Sequence, residues 1–200
     1  MLHLAVTLYR TLAGFIIAFI GGGVLGIIAF FFRLKDVTET FMLMLQILPG
    51  TIVGIIFMLM FGIGDAAPIA LIVAMALPLM TINTTNTLLK KNSVMENVIL
   101  GFGGTTRDLI RDLYIPALIP ALRSNFTLGI GQAFKVVVLG EFIASENGLG
   151  YLLNLSKIYF DMNAVFFYLS ALLVLALIIQ VIGQFLFVIF FEKYLLPDQP

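Results

Sequence analysis

The feature that most constrains this chain is a set of uncharged apolar runs, each long enough to cross a lipid bilayer. A helix rises about 1.5 Å per residue, so about 20 apolar residues cross the hydrocarbon core of about 30 Å. Four runs meet this requirement: residues 11–32, 40–64, 66–89 and 162–191. A fifth and weaker span, about residues 124–143, contains Lys135 and Glu141. We predict an all-α integral membrane protein with five transmembrane helices in a single domain over residues 1–200.

Composition indicates the same surroundings. The chain is 61% hydrophobic and 11% charged, which is more apolar than a soluble domain of this size can bury. Its formal net charge is zero, so charge gives no argument for a nucleic acid partner. Cysteine is absent, which excludes disulfides and thiolate metal ligands. The lone His3 cannot build a metal site by itself, and we expect it to be a mobile surface residue.

Lysine and arginine predict the orientation, because they are enriched in cytoplasmic loops. The loops after the first and third helices, together with the C-terminus, hold most of them: Arg33, Lys35, Lys90, Lys91, Arg107, Arg111, Arg123 and Lys193. We therefore expect an outside N-terminus, a cytoplasmic C-terminus and a long cytoplasmic loop at about residues 90–123. Only Arg10 and Lys157 would then lie outside.

Small residues and prolines predict how the helices pack. A row with a four-residue repeat lets another backbone approach the first helix closely; it consists of Gly14, Ala18, Gly22 and Gly26. Pro49 in the second helix and Pro78 in the third should bend or open those helices, because proline removes a donor and crowds the preceding turn.

The long loop contains a short amphipathic helix. Thr105 can cap it, with Asp108 three residues later forming a capping box. One face carries Thr106, Leu109, Ile110 and Leu113, and the polar flank carries Arg107, Asp108, Arg111 and Asp112. Ile115 precedes Pro116 and is pushed away from helical geometry, so the helix should end after about two turns. Such a short helix is marginal alone, and we expect it to dock on a partner protein; a helix lying in the lipid interface is the alternative.

Polar residues within the spans are candidates for a solute pathway, because they are costly in lipid. They are Gln46, Pro49, Asn83, Asn125, Gln132, Lys135 and Glu141. Lys135 lies roughly 17 Å above Ser124, near mid-membrane, and needs water, a carboxylate from another helix or an anionic solute. Glu141 is about 120° further around the helix, so the two should not pair. For the other residues, hydrogen bonding between helices is the competing interpretation.

The run from Gly103 to Pro120 resembles the cytoplasmic signature loop of permease subunits of type I ABC importers. That pattern is Glu-Ala-Ala, three residues, Gly, nine residues, Ile, any residue, Leu-Pro. Here Gly103 fits the glycine, Leu113 the isoleucine and Ile115-Pro116 the final pair. Glu96 stands one residue before the usual glutamate position. Further similarity to the branch serving taurine, aliphatic sulfonates and nitrate covers Leu48-Pro49, Phe61-Gly62-Ile63-Gly64 and Gly148-Leu149-Gly150-Tyr151-Leu152.

The resemblance implies the type I ABC importer permease fold and a set of partners. These are a second permease subunit (a homodimer is expected), two cytosolic ATPase subunits that bind ATP and Mg, and an external solute-binding protein. The solute would be a small anionic or organic molecule such as a sulfonate, taurine or nitrate. The resemblance assigns ATPase coupling to Glu96 and to residues of the loop: Gly103, Gly104, Thr105, Thr106, Arg107, Asp108, Leu109, Ile110, Arg111, Asp112, Leu113 and Pro116.

No catalytic residue or metal site is expected in this chain. It lacks the Gly-x-x-x-x-Gly-Lys-Ser/Thr phosphate loop, so nucleotide would bind to another subunit. The alternative function is a stand-alone secondary transporter or channel without an ATPase. Such carriers often contain inverted repeats with paired broken helices, and we find no convincing internal repeat.

Overall fold

The computed structural model describes the backbone of residues 2–191 and the side chains of residues 2–185. The described chain forms helices α1 (Leu2–Phe31), α2 (Lys35–Ile47), α3 (Gly50–Phe61), α4 (Ala66–Leu89), α5 (Ser93–Gly101), α6 (Thr106–Leu109), α7 (Ile115–Ala144), α8 (Leu149–Ile158) and α9 (Met162–Phe191). A π-helical turn, Ile110–Tyr114, joins α6 to α7. Lys193 and the expected cytoplasmic C-terminus lie outside the described residues.

Four described helices are long and apolar enough to cross a membrane: α1, α4, the continuous helix Thr106–Ala144, and α9. The second predicted span is instead the pair α2 and α3, bent by 87°, and counting the pair as one span gives five. The bend lies where it was predicted, at Leu48-Pro49. Leu48 has an extended backbone with ψ 128°, as expected for the residue before a proline.

The prediction that the loop helix ends before Pro116 is wrong. Ile115 is helical, with φ −62° and ψ −49°, and the chain continues into α7. The Ile115 N–H donates to the carbonyl oxygen of Ile110, five residues back. This wider turn accommodates a residue without an N–H, as such adjustments do in other membrane helices. Helix α4 likewise runs unbroken through Pro78.

Helices α1, α4 and α7 form the centre of the bundle. The small-residue row of α1 is buried against α4, as predicted. A Cβ atom added at Gly22 would lie 2.7 Å from the Met80 Cβ and 2.9 Å from the Leu77 carbonyl oxygen. Only glycine allows this approach, because both contacts are too short for any side chain. The surrounding core includes Phe15, Leu71, Ile72, Ala133 and Val137.

Candidate solute pathway and coupling segment

A cavity of about 700 Å³ lies between α4, α7 and α9. Its wall is mainly apolar, with six polar side chains: Asn83, Ser124, Asn125, Gln132, Lys135 and Gln180. The structure therefore brings four of the predicted pathway residues together. Within the described part of the chain, neither Asp nor Glu lines the cavity.

Lys135 is the only basic residue among the described lining of this cavity. Its side chain is exposed, and it forms no hydrogen bond or ion pair with any residue that the structure describes. Of the three surroundings expected for a midplane cation, a carboxylate from another helix of the described chain is excluded. The ammonium group is thus available to water or to an anion in the cavity.

The asparagines of the cavity have two different roles. Asn125 is 4% exposed, and its Nδ2 donates to the Thr84 hydroxyl at 2.9 Å. Its Oδ1 accepts a hydrogen bond from Asn83 Nδ2 at 2.7 Å, so Asn125 links α7 to α4. The side-chain oxygen of Asn83, Oδ1, has no hydrogen-bond partner among the described residues and remains available to a ligand.

Gln180 is a pathway candidate that the sequence analysis missed. Its Nε2 donates to the Thr127 carbonyl oxygen at 3.2 Å, and its Oε1 lies 2.5 Å from the position of a Cβ at Gly131. Gly131 therefore leaves the space that the glutamine occupies. Gln180 also lies within a predicted span, so the criterion used for the other candidates, that a polar group is costly in lipid, applies to it as well.

Three predicted pathway residues lie away from the cavity. Gln46 and Pro49 are at the break between α2 and α3, where Gln46 Nε2 is buried without a hydrogen-bond partner. Glu141 belongs to a separate cluster of charged residues. The prediction that Lys135 and Glu141 do not pair is confirmed, since Glu141 pairs with Arg10 instead.

This charged cluster is built around Arg10 and Glu141, which are 2% and 0% exposed. Arg10 Nη1 donates to Glu141 Oε1 at 3.1 Å and to the Ser145 hydroxyl at 2.7 Å. Its Nε donates to Asp65 Oδ1 at 2.8 Å. We expected Arg10 before the first span, but α1 already begins at Leu2. The arginine is tolerated inside the helix because its donors are paired with carboxylates.

The same cluster holds the start of α8. Glu141 Oε2 accepts from the Gly150 N–H at 3.0 Å and from the Thr7 hydroxyl at 2.9 Å. Gly148 has φ +109°, and a Cβ there would overlap the Glu141 carboxyl group. His3 is half-buried and accepts the Gly148 N–H on Nδ1 at 3.0 Å, so the expectation of a mobile surface histidine is wrong.

The predicted coupling segment, residues 103–116, begins with two glycines that its geometry requires. Gly103 has φ +81°, and a Cβ at Gly104 would lie 2.7 Å from the Ile99 carbonyl oxygen. Thr105 follows, and its backbone N–H and its hydroxyl both donate to Asp108 Oδ2 at 2.7 Å. The predicted role of this pair at the helix start is confirmed.

The predicted docking face of this segment is only half available to a partner, because Thr106 and Ile110 are exposed whereas its two leucines are buried. Leu109 and Leu113 are 8% and 5% exposed, so they pack within this chain rather than waiting for a partner. The outward surface carries exposed residues of the predicted polar flank and one apolar residue: Arg107, Ile110, Arg111 and Asp112. The apolar periodicity correctly placed the two leucines on one face, but this chain itself buries them.

Glu96 also contacts its own chain. Its carboxylate forms an ion pair with Lys91 and accepts a hydrogen bond from the Tyr114 hydroxyl at 3.0 Å. The Lys91 hydrogen bond is the main cause that holds the pKa of Glu96 below its ordinary value, while partial burial opposes it. Glu96 is therefore ionised at neutral pH and ties α5 to the π-helical turn.

Membrane helices around a cavity that carries several polar side chains, with a charged segment exposed beyond their ends, are typical of a transport permease. Residues 11–194 match the family described as "Binding-protein-dependent transport system inner membrane component", and the chain belongs to that family. It is a multi-pass inner-membrane permease of the type I ABC importer class. The family is a non-catalytic membrane component.

The relatives whose names state a solute do not share the same solute. The chain is 26% identical over 165 residues to the formylaminopyrimidine transport permease protein ThiX of Halalkalibacterium halodurans, covering 82% of this chain and 66% of that protein. It is 27% identical over 165 residues to the putative aliphatic sulfonates transport permease protein SsuC of Bacillus subtilis, covering 82% and 60%. The chain thus spans less than two thirds of the length of both relatives.

A solved structure shows the same fold. The MetNI methionine ABC transporter in inward-facing conformations matches with a TM-score of 0.71, covering 90% of this chain and 92% of that one. The sequence identity is 18%, so this likeness concerns the fold alone. It confirms the predicted type I ABC importer permease fold.

Proposed function

We propose that this chain forms the solute pathway of an ATP-driven importer for a small anionic or organic solute, such as a sulfonate, taurine or nitrate. A second permease subunit, identical to this one, would complete the pathway. Two cytosolic ATPase subunits would bind ATP and Mg, and an external solute-binding protein would deliver the solute. The loop at about residues 90–123 would be cytoplasmic and the N-terminus outside.

The observation that carries the solute class is Lys135. Its ammonium faces a cavity of about 700 Å³ without a carboxylate among the described lining residues. A cation in low-dielectric surroundings favours an anionic ligand, because the ligand supplies the charge that the protein does not. The unpaired side-chain oxygen of Asn83 can accept a hydrogen bond from a donor on the solute. Gln132 and Gln180 supply neutral polar groups around them.

The outward surface of the coupling segment supports the proposed contact with the ATPase. Arg111 has an 84% exposed side chain, and Asp112 is 57% exposed. Ile110 beside them is 42% exposed and supplies an apolar centre. Because the segment continues through the π-helical turn into α7, a push on it would move the helix that carries Lys135. ATP-driven closure of the partner pair would thereby alternate access to the cavity.

The solute class is tested with the complex reconstituted in liposomes, together with its ATPase and solute-binding protein. We expect Lys135→Gln to abolish uptake of the anion, and Lys135→Arg to restore a substantial part of it. Thermal stability should be the same in both variants, because Lys135 has no partner among the described residues. Full uptake by Lys135→Gln would refute an anion site at this lysine.

The coupling contact is tested separately by copurification with the ATPase. We expect Arg111→Glu combined with Ile110→Asp to release the ATPase and to abolish solute-stimulated ATP hydrolysis. Glu146→Lys is the control, because Glu146 is exposed in the loop between α7 and α8. If the chain transports its solute without any ATPase, driven by an ion gradient, the secondary-transporter alternative is correct.

A further inference from the structure

A second cavity, of about 530 Å³, lies where α1 and α4 end beside α5. One side is apolar and is formed by the last turns of the two helices, including Phe30, Phe31 and Leu89. The other side carries charged side chains: Arg33, Lys35, Lys91 and Glu96. It is separate from the solute cavity, with which it shares no lining residue.

Lys91 is a fixed cation in this second cavity. Its side chain is 12% exposed and pairs with Glu96. Its Nζ lies 5.4 Å from the Tyr114 ring centroid and 5.8 Å from that of Phe30, within the range of cation–π attraction. The ammonium is therefore already oriented, and a ligand would not need to order it.

The other two basic residues are held loosely or not at all. Arg33 stands in the turn between α1 and α2, with φ +57°, and its guanidinium has no partner among the described residues. Lys35 Nζ lies 4.0 Å from the carboxylate of Glu39, which does not line the cavity. Three basic groups therefore face one lining carboxylate, and the cavity favours an anion.

The apolar side distinguishes between kinds of anion. Phe31 and Leu89, which line the cavity, are 52% and 45% exposed at the ends of two neighbouring membrane-spanning helices. An anion with an attached acyl chain covers these side chains while its phosphate contacts the basic groups. A free phosphate ion would leave the apolar side uncovered.

We propose that this cavity binds the phosphate headgroup of an anionic phospholipid, with Arg33 and Lys91 as its main contacts. Basic pockets between membrane helices bind such headgroups through this combination of charge and apolar surface. Because Lys91 also holds Glu96, a bound headgroup competes with that carboxylate. The site goes beyond the proposed function and depends on it only for the leaflet, which would be the cytoplasmic one.

The test measures lipid retention by native mass spectrometry of the intact complex, and does not depend on transport. The complex is taken from nanodiscs of phosphatidylcholine with a minor share of phosphatidylglycerol. We expect selective retention of phosphatidylglycerol, weakened about fivefold in Arg33→Gln and in Lys91→Gln. Arg33→Gln is less prone than Lys91→Gln to disturb the fold, because the Arg33 side chain forms no hydrogen bond or ion pair with the described residues, whereas Lys91 pairs with Glu96. The control is Lys90→Gln, which removes the same charge from an exposed neighbour outside the cavity.

Three results would overturn the proposal. Phosphatidylglycerol retained no better than phosphatidylcholine would exclude a headgroup site. Equal losses in Lys90→Gln and Arg33→Gln would indicate diffuse surface charge. In nanodiscs of phosphatidylcholine alone, added inorganic phosphate that raises the melting temperature of the wild type but not of Arg33→Gln would assign the cavity to a soluble anion.

Discussion

The charged cluster around Arg10 and Glu141 and the cavity around Lys135 both place charge inside the helix bundle, but only the first pairs its charges within the chain. Arg10 and Glu141 are buried, and each makes several hydrogen bonds. Lys135 is exposed to a cavity and has no partner in the described chain. In these two regions, the buried and fully paired charges stabilise the fold, whereas the unpaired charge is available to a ligand. Depth in the membrane alone does not separate these two cases.

The largest effect on stability is expected for Glu141→Leu. It leaves Arg10 buried with one partner fewer, and breaking a buried ion pair typically costs about 3–5 kcal/mol. The double variant Arg10→Met/Glu141→Leu should cost less than the sum of the two single variants. Melting temperatures of the purified complex provide the measurement, with the exposed Glu146→Gln as the unaffected control. Additive losses would mean that the two residues do not act as a pair.

A smaller loss is expected at the small-residue row, which stabilises the bundle without any charge. Gly22→Val places methyl groups against Met80 and the Leu77 carbonyl, and overpacking typically costs about 1–3 kcal/mol. Gly23→Val is the matched control, because a Cβ at Gly23 meets no atom within 4 Å. Equal melting temperatures for the two variants would contradict the close approach of α1 and α4.

Asn125→Leu should have a moderate effect, because Asn125 both lines the cavity and makes hydrogen bonds that stabilise the fold. It lines the cavity, yet its side chain connects α7 to Thr84 and Asn83. Interhelical hydrogen bonds in membranes contribute about 0.6 kcal/mol on average, so we expect a small decrease in melting temperature together with reduced uptake. An unchanged melting temperature with lost uptake would place Asn125 with Lys135 as a ligand-binding residue only.

The smallest stability effect is expected for Lys135→Leu. The substitution removes a midplane charge that has no described partner, so the melting temperature should stay the same or rise slightly. The same measurement as for Glu141→Leu gives the direct comparison between the two regions. A large loss at Lys135 would show that the lysine is a structural group, as Arg10 and Glu141 are.

Much of the helix layout could be predicted because it depends on local sequence. Uncharged runs predicted α1, α4 and α9 as spans, the four-residue repeat predicted the packing face of α1, and Pro49 predicted the break between α2 and α3. Other features needed the folded chain. Pro116 did not end its helix, since a π-helical turn accommodated it. Leu109 and Leu113 were correctly assigned to one apolar face, but periodicity does not say which surface buries that face.

The sequence by itself determined that this is a membrane protein, and it determined which helix faces are apolar or polar. Both follow from hydropathy and helical periodicity, which are properties of neighbouring residues. Only the tertiary structure decided which polar residues are paired. Arg10 and Glu141 are 131 positions apart, and no local pattern connects them. Their pairing, and the absence of a described partner for Lys135, follow from how α1, α4 and α7 pack, which is a property of the whole bundle.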